Sequence, residues 1–202
     1  MKKSIVTLIS ISLILTLFIS TSLAISFSDL KTSHWAYKNI IALANEGIIS
    51  GYTDGTYKPE NDVTRGEFLK LMMVTLYDGN EYFEVNNFNF GHWAHPYAIE
   101  AGMAGYLMNG TDISNLNAPI SRKEMVHILA KICLNNKIES KEEIKTIRFS
   151  DMSSLDAETK MYINFVAENG LINGYTDGTF KADRTMTRAE VATVISRFIA
   201  LR

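Results

Sequence analysis

Gly51-Tyr52-Thr53-Asp54-Gly55-Thr56 recurs without change as Gly174-Tyr175-Thr176-Asp177-Gly178-Thr179, at an offset of 123 residues. At that offset Gly47 falls on Gly170, and Thr64-Arg65-Gly66-Glu67 falls on Thr187-Arg188-Ala189-Glu190. A middle copy lies at offset 58, where His34-Trp35-Ala36 meets His92-Trp93-Ala94 and Gly47 meets Gly105. Ser121-Arg122-Lys123-Glu124 supplies its last landmark one residue early. Self-similarity at a period of about 60 residues marks a repeat architecture. Three copies fill the chain beyond its N-terminal segment and leave no stretch for a separate catalytic domain.

Each copy reads as helix, turn, loop, helix. From Ala36 to Glu46 the apolar residues Ile40, Ile41, Leu43 and Ala44 form a helical stripe. Gly47 stands where a glycine ends a helix in the left-handed conformation. Asp54-Gly55 is the dipeptide preferred where both central turn residues need positive φ. A second helix starts near Arg65, with Phe68, Leu71, Met72 and Thr75 on one face. Its counterparts carry Met125, Ile128, Leu129 and Ile132, then Val191, Val194, Ile195 and Phe198. The expected fold is mainly α: three helix-loop-helix repeats whose second helices bury these stripes against one another in a pseudo-threefold bundle. Residues 78–89 read as loop, and Ser140-Lys141-Glu142-Glu143 predicts a short extra helix through a capping box.

Lys2 and Lys3 precede an apolar run from Ile5 to Ile19, then Ser22-Leu23-Ala24. That order predicts a secretory signal over residues 1–24, cleaved after Ala24. The competing reading is a retained anchor, because Ile5 to Ile25 is long enough to span a bilayer; interrupting Ser and Thr and the small residues at its end favour cleavage. Either way the remainder lies outside the cytoplasm, with no stable membrane insertion after cleavage. Repeats are expected at 25–80, 81–139 and 140–202. Removing residues 1–24 lowers Lys+Arg from 20 to 18 against 22 Asp+Glu, so the net charge moves from −2 to −4. A diffuse nucleic-acid binder needs the opposite balance. With 47% hydrophobic residues the chain can build a core, and its single cysteine, Cys133, excludes an internal disulfide framework.

Thr64-x-x-Glu67, Ser121-x-x-Glu124 and Thr187-x-x-Glu190 all match the helix capping box. Capping explains the hydroxyls and the glutamates but not Arg65, Arg122 and Arg188. Each would sit at the positive end of a helix dipole, where a cation is disfavoured. Free helix amides beside an Arg fork make a receptor for a carboxylate or phosphate; structural ion pairing is the alternative. Trp35 and Trp93 either pack at their helix starts or offer ring faces to a sugar. His92-x-x-His95 has no third ligand in sight, and Asp54-Gly55 lacks the alternating carboxylates of a calcium loop. No metal or cofactor site is expected. The capping glutamates leave no acid/base dyad, so no catalytic residue is assigned. Cys133 falls among apolar helix residues and reads as core.

Phe27-x-Asp29, His34-Trp35-Ala36, Gly47-Ile48-Ile49-x-Gly51-Tyr52-x-Asp54-Gly55 and Thr64-Arg65-x-Glu67 together resemble the S-layer homology (SLH) domain. The resemblance covers essentially the whole chain after residue 24, as three tandem repeats. It implies a three-pronged spindle with a central helical bundle and grooves between neighbouring repeats. It also implies a secreted protein at the cell wall or S-layer, anchored non-covalently to secondary cell wall polysaccharide. The ligand of such modules is typically a sugar bearing a pyruvate ketal, whose carboxylate would meet Arg65, Arg122 and Arg188. Trp35, Trp93, Asp29, Gly51 and Gly174 are the other ligand-site residues it points to. The second copy loses the Gly-Tyr-x-Asp-Gly-Thr turn, and the third has Asp156-Ala157-Glu158 in place of His-Trp-Ala. Unequal grooves follow, with the one around Trp35 and Arg65 expected to bind best. A competing function is an envelope protein whose repeats mediate assembly with S-layer proteins.

Overall fold

The computed structural model describes residues 25–77, 91–108, 111, 113–139 and 148–202. The expected signal segment at 1–24, the expected loop at 78–89 and the extra helix expected at Ser140 all fall outside the described residues. Six helices follow one another: α1 Tyr37–Asn45, α2 Arg65–Leu76, α3 His95–Met103, α4 Arg122–Asn135, α5 Ala157–Glu168 and α6 Arg188–Leu201. The fold is mainly α.

The second helix of each copy starts at a complete capping box. Thr64, Ser121 and Thr187 each accept from the backbone N–H three residues on, and Glu67, Glu124 and Glu190 each reach back to the cap. The residues just before those caps form a closed cycle of backbone hydrogen bonds. Val63 N–H donates to Met186 O at 2.9 Å, Met186 N–H to Ile120 O at 3.1 Å, and Ile120 N–H to Val63 O at 2.9 Å. All three side chains are buried, so the three copies meet at one hub from which α2, α4 and α6 depart.

The first helix of each copy does not lie chiefly on its own partner. α3 packs on α2, α5 on α4 and α1 on α6, so each outer helix covers the inner helix of the preceding copy, cyclically. α2 also packs on α6. The inner helices also bury more than the one stripe that the sequence predicts. α4 buries Val126, His127, Ala130 and Cys133 as well as Met125, Ile128, Leu129 and Ile132. An inner helix must present one face to the hub and another to the outer helix laid against it.

The outer helices end alike. Gly47, Gly105 and Gly170 adopt φ of 72°, 73° and 71°. The following residue donates back over five positions, Ile48 to Leu43 and Leu171 to Val166, both at 2.9 Å, which is the Schellman closure. The Asp54-Gly55 turn differs from the expected type. Gly55 has φ of 79°, whereas Asp54 is not among the residues with positive φ. Gly55 N–H donates to Tyr52 O and Tyr52 N–H to Thr56 O, so three residues connect the two sides and glycine alone is left-handed.

Candidate functional site

The helix starts hold no free amides for an anion. At α2, Arg65 N–H donates to Ala118 O and Gly66 N–H to Leu116 O, while Thr64 and Glu67 satisfy each other. At α4 the takers are Arg184 O and Ala182 O, and at α6 Asn61 O and Pro59 O. Loop carbonyls of the next copy fill the places that a carboxylate would have needed. Reception by a free helix N-terminus is therefore excluded, and what can meet an anion is the arginine side chains themselves.

Those three side chains have different surroundings. Arg65 Nε donates to Glu124 Oε1 at 2.8 Å, an ion pair that neutralises it. Burial pushes the Glu124 carboxyl up, but the Ser121 N–H and Arg65 outweigh that and hold it below its ordinary value. Arg122 is only 3% exposed. It donates from Nε to Phe180 O at 2.8 Å and from Nη2 to Asn173 O at 3.0 Å. Arg188 donates from Nε to Tyr57 O at 2.8 Å and from Nη2 to Ser50 O at 3.0 Å, and lies over the Tyr52 and Tyr57 rings. Among the described residues neither Arg122 nor Arg188 has a carboxylate within ion-pair distance. Carbonyl dipoles and aromatic faces hold these two cations in place without cancelling their charge. Burial draws the Arg122 pKa below its ordinary value, with the nearby Tyr175 and Glu190 opposing.

Each arginine lines a different cavity, and two of these cavities are assembled from all three copies. The first, about 390 Å³, is lined by Ser50, Tyr57 and Glu67 of the first copy, Trp93 of the second and Arg188 of the third. The second, about 260 Å³, joins Trp35, Arg122 and the third copy's Asn173, Gly174, Tyr175 and Glu190. Around Arg65, with Leu107, Met108 and Glu124, only about 10 Å³ remains. Trp35 and Arg65 thus line different cavities, contrary to the expected pairing. A groove takes its turn from one copy, its arginine from the preceding copy and its tryptophan from the following one. An intact first copy therefore does not make an intact groove.

Trp35 is 61% exposed and Trp93 53%, so packing is not their main employment. The histidine before each one orients the chain. His34 Nδ1 accepts from Ala36 N–H at 3.2 Å, so in the neutral ring the proton sits on Nε2, which meets Glu60. His92 does the same with Ala94 N–H and Asn117. Both nitrogens of His92 are engaged, which leaves no lone pair for a metal. In the third copy Asp156 caps instead, accepting from Thr159 N–H, and α5 starts at Ala157 where equivalence with Tyr37 would start it at Lys160. The earlier helix start leaves Glu158 at the tryptophan position.

Asp29 and Gly51 serve the loops rather than a ligand. Asp29 accepts from Tyr57 N–H at 2.8 Å and Lys58 N–H at 2.7 Å, so both oxygens are taken. A Cβ at Gly51 would collide with the Phe27 ring and at Gly174 with the Phe149 ring. Gly174 additionally lines the second cavity, whereas Gly51 lines none of the three. The sequence reading missed the carbonyls of Ser50 and Asn173 and the tyrosine faces under the arginines. The repeated Tyr52 and Tyr175 were the available signal, read only as part of a turn. Among the described residues no three potential metal ligands cluster, and no helix is long and apolar enough to cross a membrane.

Residues 26–69 and 148–192 match the S-layer homology domain. An exoglucanase of Acetivibrio thermocellus is 32% identical over 85% of this chain and 16% of its own length. A cellulosome-anchoring protein of the same species is 28% identical over 83% of this chain and 39% of its own length. An S-layer protein of Bacillus thuringiensis subsp. finitimus is 26% identical over 85% and 21%. The chain therefore spans well under half the length of these relatives.

Proposed function

The chain belongs to the S-layer homology domain family, and from that premise we propose that it is a non-catalytic cell-surface anchor that grips an acidic wall polysaccharide non-covalently. The relatives named as cellulosome-anchoring and S-layer proteins support cell-wall attachment in general. The finer reading is a pyruvylated secondary cell wall polysaccharide, with the ketal carboxylate meeting Arg188 in one groove and Arg122 in the other. Trp93 and Trp35 then supply ring faces for the sugar. Residues 81–139 serve as a third, divergent repeat between those at 25–80 and 140–202, behind a signal at 1–24.

One observation carries this reading. Two cavities are each lined by a guanidinium without a carboxylate partner and by an exposed tryptophan, whereas the third arginine is neutralised and its cavity is about 10 Å³ with no tryptophan. Co-sedimentation with cell-wall sacculi tests it, using native sacculi, sacculi stripped of the polysaccharide, and sacculi freed of ketals by mild acid. Binding should need both polysaccharide and ketal. Arg188→Ala and Arg122→Ala should each weaken it about tenfold, as loss of a charge-assisted hydrogen bond does, and Arg65→Ala by less than about threefold. Binding to stripped walls, or Arg65→Ala as the most damaging change, would sink the proposal. Association with S-layer protein in place of polysaccharide would favour the assembly reading.

A further inference from the structure

The two open grooves correspond at several wall positions. At the 123-residue offset Ser50 meets Asn173, Glu67 meets Glu190, and Leu71 meets Val194. Among the wall positions that differ, Lys70 stands opposite Thr193, and Val74 opposite Arg197. Lys70 is exposed, and its ammonium sits 5.9 Å from the centre of the Trp93 ring. Arg197 is half-buried, and its hydrogen bond from Nη1 to Leu171 O is long at 3.4 Å. Among the described residues it has no carboxylate partner. Glu190 of the same groove cannot serve, because Arg184 already spans both its oxygens at 2.7 and 2.9 Å.

The Trp35 groove therefore holds two guanidiniums, Arg122 and Arg197, without a carboxylate to either, and its acidic residue is neutralised. The Trp93 groove holds Arg188, an exposed lysine and Glu67, which among the described residues is paired with no cation. A half-buried guanidinium attracts an anion more strongly than an exposed ammonium, because less water screens it and its fork can bond bidentately. Arg197 also stands seven residues beyond Glu190 on α6, about 10 Å along the helix axis. It does not crowd the capped end of the helix.

Resting on the anchoring reading above, we infer that Arg197 forms a second anion subsite in the Trp35 groove, fitted to a glycan segment that bears two negative groups. The Trp93 groove, with Val74 at that position, is fitted to a singly charged segment and packs its ligand against apolar wall. One chain thus grips two differently charged stretches of polysaccharide.

Calorimetric titration of the full chain with two synthetic probes tests this. One is a 4,6-pyruvylated N-acetylhexosaminyl disaccharide; the other is the same disaccharide with a phosphate on its second sugar. Arg188→Gln with Trp93→Ala isolates the Trp35 groove, and Arg122→Gln with Trp35→Ala isolates the other. The phosphorylated probe should bind the Trp35 groove about tenfold more tightly than the plain one, and the Trp93 groove equally or more weakly. Arg197→Gln, which keeps a donor for Leu171 O, and Arg197→Val should both erase that preference with thermal stability unchanged. Val74→Arg should create it in the Trp93 groove. Equal binding of both probes by the Trp35 groove, or a preference that survives Arg197→Gln, would overturn the inference and leave the anchoring reading intact. If neither probe bound either groove, the ketal reading and this inference would fall together.

Discussion

Asp54 and Asp177 show how much one side chain does in the repeated turn. Each accepts from the N–H and hydroxyl of the threonine two residues on and pairs with the lysine four residues on. The threonine hydroxyls, then their amides, hold both carboxyls at about 2, below the ordinary 3.8. A carboxyl depressed on folding stabilises the fold above its unfolded value, and that contribution disappears as pH falls through the folded value. Urea unfolding at pH 4 and pH 2 should therefore show the wild type losing more stability than an Asp54→Asn, Asp177→Asn double variant. Equal losses would place the acid sensitivity elsewhere. Asp29 and Asp151 are the obvious places, since their backbone donors outweigh burial and depress them too.

At the scale of elements, the helix ends carry the local logic. α4 closes as α1 does, with Ile138 N–H donating to Cys133 O at 2.8 Å, but Lys137 occupies the left-handed position at φ of 55°. A side chain there costs about 1–2 kcal/mol, and glycine returns part of that through the entropy of the unfolded chain. Lys137→Gly should stabilise the protein by about 0.5–1 kcal/mol, a rise of roughly 1–4 °C in Tm. A fall in Tm would mean that the lysine side chain makes a contact worth more than the strain. The glycine caps and capping boxes were legible because their chemistry is local. The covering of α2 by α3 was not, because both faces of an inner helix are apolar and periodicity cannot say which neighbour each one meets.

The whole molecule is held by exchange between copies. The hub cycle and the outer-on-inner pairing give every copy core contacts from its neighbours, so the copies are expected to unfold together. Cys133 reports on this. It is fully buried in α4, and burial pushes its thiol up to about 12. In the intact chain a thiol reagent such as DTNB should label it only at the rate of global opening, with labelling and circular dichroism melting together in one transition. Labelling well below the melting temperature would show that α4 opens separately and that the copies are less interdependent than the pairing implies.

By itself the sequence determined the recurring landmarks, the helices and their caps, and the set of arginines and tryptophans from which a site could be built. These follow from short-range periodicity, turn chemistry and repetition, all of which a linear text records. Only the tertiary structure decided that Arg65 is spent on Glu124, that the helix amides are filled by loop carbonyls, and that Trp35 shares a cavity with Arg122 and Trp93 with Arg188. The physical reason is the cyclic hub. It draws each groove from three separate copies, so landmarks that are neighbours in the chain end in different cavities, and partners within one cavity lie far apart along the chain.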